Sequence, residues 1–217
     1  MGYRIQNHYL TEAGAKWALG LLSPAEFIQE GQGVIIPIIF FAVSSVMGLM
    51  NGETTADKLN RNDRIFSGIA IVLMLASFIT SKCFDNRSLD YNLALIAGLT
   101  VSIAAGYTIG ELIARLNLSE QNWHVNHLSL ILFFYISAIF VGPYFIGTNR
   151  AKLDFYPATS SLSFVTITNS EEEWRLVRTI GDKYLLVILS DEADKRKFRV
   201  VEATSDSVIK SNSKIVE

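Results

Sequence analysis

Four stretches of this chain, residues 33–50, 65–81, 91–110 and 128–147, contain no Lys, Arg, Asp or Glu. A helix rises about 1.5 Å per residue, so each run is close to the roughly 20 residues that cross a hydrocarbon core of about 30 Å. A soluble bundle would need a polar stripe every three or four residues along each helix, and "IFSGIAIVLMLASFIT" has none. The pattern predicts an α-helical membrane protein with a four-span bundle over residues 33–150 and the lipid bilayer as its surroundings.

The segment 1–32 reads as an N-terminal amphipathic or interfacial piece. In "YLTEAGAKWALGLL", Trp17, Leu19, Leu21 and Leu22 would face lipid, and a plainly packed helix is the equal alternative. Ser23, Pro24 and Glu26 form a helix start with a capping box. Gly31, Gly33 and Pro37 predict a kink or break where that helix enters the membrane. Glu12, Lys16, Glu26 and Glu30 interrupt any continuous apolar run, so no cleavable leader is expected.

The third run carries Ala94, Gly98, Ser102, Gly106 and Gly110 at every fourth residue. Helices in lipid associate through close backbone approach, which small side chains permit. Ser44 and Gly48 repeat the device in the first run. The ridges serve packing within one chain or oligomerisation, and both readings stay open. Ser and Thr in these helices could also line a narrow path, although no charge lies inside any of the four runs.

Catalytic chemistry is not indicated. The single cysteine, Cys83, excludes an internal disulfide framework. His124 and His127 lie three apart without a nearby carboxylate or thiol, so no metal site is expected. There is no phosphate-binding glycine loop, and "SNSK" at 211–214 lacks companion motifs. Glu111 and Arg115 fit an i, i+4 pair at a membrane edge. The reading is a non-enzyme without cofactors.

After Arg150 the period changes. "LSFVTI", "EWRLVRTI", "KYLLVILS" and "RKFRVVEA" are short β-rich runs, with Gly181 and Asp182 suited to a tight hairpin turn. Leu185 to Leu189, apolar on both faces, form the expected central strand. Residues 151–217 thus predict a small β-barrel-like domain, SH3-like or OB-like, with a core small enough to lean on the bundle. Arg175, Arg178, Lys195, Arg196, Lys197 and Arg199 form a candidate partner-binding patch. A solvated surface neutralised by nearby acids is the competing reading. Direct nucleic-acid binding is not expected from a chain of net charge −2.

Basic residues near the span ends are nearly balanced between the two sides, and the nine further basic residues of the tail put both termini in the cytoplasm. Four spans, cytoplasmic termini, a short β tail and no catalytic motif resemble the membrane subunit of the bacterial Kiwa anti-phage system. The resemblance implies a non-enzymatic sensor or scaffold in the inner membrane that forms a homo-oligomer and recruits a cytosolic effector protein. A pore-forming effector or small channel is the alternative.

Overall fold

The computed structural model describes residues 1–84, 86–117, 137–167, 172–203 and 207–210. Among these residues five α-helices come first: α1 (Gly2–Ala13), α2 (Pro24–Met50), α3 (Ala56–Cys83), α4 (Arg87–Asn117) and α5 (Gly142–Asp154). A 3₁₀ turn, Lys16–Leu21, links α1 to α2, and a π turn, Ser137–Val141, leads into α5. Among the described residues, three helices are long and apolar enough to cross a membrane: α2, α3 and the Arg87–Ile113 part of α4. Of the fourth expected span, residues 128–136 lie outside the described residues, as do His124 and His127.

Local chemistry fixes the helix ends. Ser23 Oγ accepts from Glu26 N, and Glu26 Oε2 accepts from Ser23 N at 2.6 Å, a reciprocal cap that starts α2. The expected break does not occur; α2 runs through Pro37 without interruption. Pro37 removes one backbone donor from the helix interior, and α2 continues on either side of it. Ile36, Ile39, Phe40 and Val43 stand more than half exposed along α2, as an apolar helix surrounded by lipid requires.

Five strands follow: β1 (Phe164–Ile167), β2 (Trp174–Ile180), β3 (Lys183–Ile188), β4 (Lys197–Glu202) and β5 (Ser207–Lys210). Their order is β4-β3-β2-β1-β5, and every neighbouring pair is antiparallel. Gly181, with φ 57°, makes the expected two-residue turn between β2 and β3. β4 and β5 occupy opposite edges and run in the same direction, yet only residues 203–206 connect them. Five steps of chain reach about 18 Å. A flat sheet would separate those edges by about 19 Å, before the return along the strand is counted. The sheet must therefore curl. It is a half-barrel, the open form of the barrel-like domain expected: β4 and β5 do not pair with each other among the described residues.

Both sheet faces are apolar. One, built on Val165, Trp174 and Leu186, faces the inside of the curl. The other, with Ile180, Leu185 and Val187, joins Tyr9, Leu10 and Ala13 of α1 and Ala151 and Phe155 at the end of α5 in one core. The N-terminal segment thus packs on the sheet through Tyr9, Leu10, Ala13 and Leu22. Leu22 is buried and Leu19 packs against the same core, leaving Trp17 and Leu21 exposed. α1 is a wedge between the long helices and the sheet.

Candidate functional site at the junction of bundle and sheet

Four elements bring charged groups together where the sheet meets the helices. Glu26 and Glu30 lie one turn apart at the start of α2, and Arg150 and Asp154 one turn apart at the end of α5. Tyr9 comes from α1 and Arg178 from β2. Glu30 bridges both guanidinium groups, its Oε2 lying 3.1 Å from Arg150 Nη1 and its Oε1 3.1 Å from Arg178 Nη1. Glu26 Oε1 is 3.6 Å from Arg178 Nε, so its two oxygens serve the helix cap and the sheet. Tyr9 donates its hydroxyl to Asp154 Oδ2 at 2.9 Å, and Arg150 Nε lies 3.7 Å from the same oxygen.

Arg178 reaches this cluster because β2 is irregular. Leu176 pairs with Leu186 and Arg178 with Leu185, so Val177 is one extra residue on β2, a bulge. Trp174 and Leu176 belong to the inner face, whereas Val177 and Ile180 pack toward the helices. Strict alternation from Leu176 would place Arg178 inside the curl. The bulge turns it toward Glu30.

Burial and charge tune the groups. Burial first, and the Asp154 charge second, push the Tyr9 hydroxyl well above its ordinary value, which keeps it a donor. Burial also raises Asp154, against the opposing hydrogen bond from Tyr9 and the charge of Arg150. Arg150 loses solvation, but Glu30, Tyr9 and Asp154 together hold it more firmly charged than usual. A cavity of about 230 Å³ lies beside the cluster, bordered by Gln6, Tyr9, Glu30, Arg150 and Arg178. The arrangement holds charge in place, and its chemistry is that of a clamp.

The six basic residues of the sequence-defined patch do not share one surface. Arg178 is in the clamp. Arg196 donates from Nη1 to the carbonyls of Glu12 and Ala13, both at 3.2 Å, and from Nε to Ser190 O at 3.0 Å. It thus satisfies the C-terminal carbonyls of α1, beside the left-handed cap at Gly14. Arg175 reaches Ser160 O and Leu162 O and lies over the Phe164 ring, with 4.1 Å from Cζ to the centroid. Lys195, Lys197 and Arg199 are exposed. Two of these are paired locally, Lys195 with Glu192 at 2.8 Å and Lys197 with Glu172 at 3.3 Å.

The small-residue ridge of α4 is filled from within the chain. A Cβ on Gly106 would lie 2.6 Å from Phe41 Cβ and 2.8 Å from Ile38 O of α2, and one on Gly98 would meet Ile146 of α5. A side chain at Gly110 would run into Ser45, while Ala94 and Ser102 are buried in the same seam. On α2 the packing residue is Ser45. Ser44 is exposed, and Gly48 faces Thr54 in the following turn.

Away from the sheet, Glu111 makes the expected pair with Arg115 at 2.8 Å and also accepts from Asn60 Nδ2 at 2.9 Å. Sequence reasoning missed Asp63 and Ser67 beside it. Asp63, Ser67 and Thr108 are buried between α3 and α4, and Ser67 Oγ donates to Asp63 Oδ1 at 3.2 Å. The i, i+4 spacing of Asp63 and Ser67 was the available signal. No family model matches the chain, and neither does any curated protein or solved structure.

Proposed function

We propose that this chain is a non-enzymatic, multi-pass sensor or scaffold subunit of a bacterial inner membrane. It has four spans and both termini in the cytoplasm, forms a homo-oligomer, and presents its half-barrel to a cytosolic effector, as the resemblance to the Kiwa membrane subunit implies for anti-phage defence. One observation carries the reading. The sheet is fixed to the helix ends by a shared apolar core and by the Glu30 clamp, which makes it a platform of set height and orientation. Docking falls to the outer edge of β4, where Lys197 and Arg199 are exposed and the strand has only one neighbour among the described residues. Repeated copies of such an edge in an oligomer would bind a multimeric partner through many weak contacts.

The test is affinity purification from gentle detergent with mass measurement of bound proteins. Changing Lys195, Lys197 and Arg199 together to Glu is expected to leave membrane insertion intact and to release the partner in a salt-sensitive way. Unchanged recovery of the partner by that variant would remove the docking assignment. The alternative, a pore-forming effector or small channel, draws on the buried polar seam of Asp63, Ser67, Thr108 and Glu111. Robust, selective currents from resting protein in planar bilayers would favour that channel over the scaffold.

A further inference from the structure

At the end of the helices away from the sheet, an open cavity of about 380 Å³ is lined by Asp57, Asn60, Arg61, Arg64 and Arg115. Its wall carries three cations and one carboxylate. The nearby carboxylates are already answered: Arg115 lies 2.8 Å from Glu111 and 3.6 Å from Asp57, and Asn60 donates to Glu111 at 2.9 Å. Asp63, beside Arg64 in the chain, is buried and accepts from Ser67. Arg61 and Arg64 are exposed and make no ion pair or hydrogen bond among the described residues. Three positions apart on α3, they are neighbours on the helix surface, so their like charges repel until an anion joins them. The surroundings select the anion. Arg64 immediately precedes the uncharged run 65–81, and from Arg61 the same face of α3 continues through Ile65, Ile69 and Val72, all exposed. Gly68, one turn beyond Arg64, has nothing within 4 Å of a Cβ, which leaves open space on that face. A guanidinium fork matches two phosphate oxygens at once, and the apolar face beside it suits acyl chains.

We infer that Arg61 and Arg64 bind the phosphodiester headgroup of an anionic phospholipid, whose acyl chains lie along Ile65, Ile69 and Val72. Arg115, held in place by Glu111 and Asp57, forms the third side of the cavity. The inference rests on the reading of α3 as a membrane span, which sets the arginines at headgroup height. Inorganic phosphate in solution shares the headgroup chemistry and lacks the chains, so it would leave the apolar face uncovered.

The experiment uses the full chain in detergent, mixed with equal amounts of phosphatidylglycerol, phosphatidylethanolamine and phosphatidylcholine, and reads retained lipid by native mass spectrometry. Phosphatidylglycerol, the one lipid of the three with net negative charge, should be retained about tenfold over the others. The double replacement Arg61→Gln and Arg64→Gln should abolish that preference, and each single replacement should reduce it about threefold. Lys16→Gln with Lys183→Gln, which removes the same charge from exposed positions at the sheet end, should leave it unchanged. Inorganic phosphate that displaces the lipid at equal concentration, where matched chloride does not, assigns the site to a soluble anion and overturns the lipid; failure to displace it assigns the site to the lipid. Equal retention of the three lipids by the unmodified protein, or an unchanged preference in the double variant, overturns the site and leaves the two arginines to an acidic protein face. Both side chains are exposed, so the double variant should keep the wild-type melting temperature; if it does not, the two single variants decide by the same criterion. Alkaline carbonate extraction of the membrane fraction tests the spans separately, so failure of the headgroup site and failure of the membrane reading give different results.

Discussion

Replacing Glu30 by Gln removes one negative charge from between two guanidinium groups and barely changes the size of the side chain. Its contacts to Arg150 and Arg178 are each 3.1 Å. The side chains of Glu30 and Arg178 are 17% and 19% exposed, so that contact is worth about 2 kcal/mol as a charge-assisted hydrogen bond. Arg150 is 40% exposed and keeps Asp154 nearby, so screening reduces its share to about 0.5–1 kcal/mol. The loss is therefore about 3 kcal/mol. At 1.4 kcal/mol per factor of ten, the undocked state of the sheet should become about 100-fold more populated. Hydrogen exchange of β2 and β3 read by mass spectrometry measures this directly, with α4 as the internal reference. Arg178→Met alone and combined with Glu30→Gln completes a cycle, for which a coupling of about 2 kcal/mol is expected. Unchanged protection of β2 and β3 in Glu30→Gln, or additive effects in the cycle, would refute the clamp.

Gly106→Ala should push α2 and α4 apart and cost about 1–3 kcal/mol, lowering the yield of folded protein; Gly68→Ala, with nothing within 4 Å of its Cβ, should be neutral or stabilising in the same thermal assay. Tyr9 has its folded pKa raised, so the stability it contributes is complete below about pH 10 and is lost as pH rises through the folded value. Denaturant unfolding from pH 8 to 11 should show that alkaline loss in the wild type and a flatter limb in Tyr9→Phe, which at neutral pH is itself weakened by about 1–2 kcal/mol because Asp154 loses its donor. Arg196→Ala should cost about 1–2 kcal/mol through the uncapped end of α1, whereas Lys195→Ala, on the exposed surface, should stay within about 0.5 kcal/mol.

Features set by local chemistry were legible in the sequence. The Ser23–Glu26 capping box, the Gly181–Asp182 turn and the doubly apolar β3 all follow from residues within a few positions of one another. The direction taken by each cation was not. Arg175, Arg178 and Arg196 look alike in a string of basic residues, but a tertiary neighbour decides each: a loop carbonyl, a helix carboxylate and a helix end. The ridge of α4 showed that close packing would occur, but spacing alone does not say whether the other helix belongs to the same chain. α1 was ambiguous for a related reason. A short amphipathic helix has the same pattern whether lipid or a sheet covers its apolar side, and here the sheet and α5 cover it.

The extra residue in β2 also sets which insertions and deletions the chain tolerates. Removing Val177 would restore simple alternation and leave Leu176, Arg178 and Ile180 on the sides they already occupy, at the loss of one partly buried side chain. Removing Leu176 instead would leave "WRVRTI" where the first deletion leaves "WRLRTI", so Val177 takes the side that Leu176 held, and Trp174 and Ile180, the same number of steps apart in both, stay on opposite faces. Two chains of equal length, differing only by Leu or Val at one position of β2, should therefore fold alike, each keeping Arg178 on the side of Glu30.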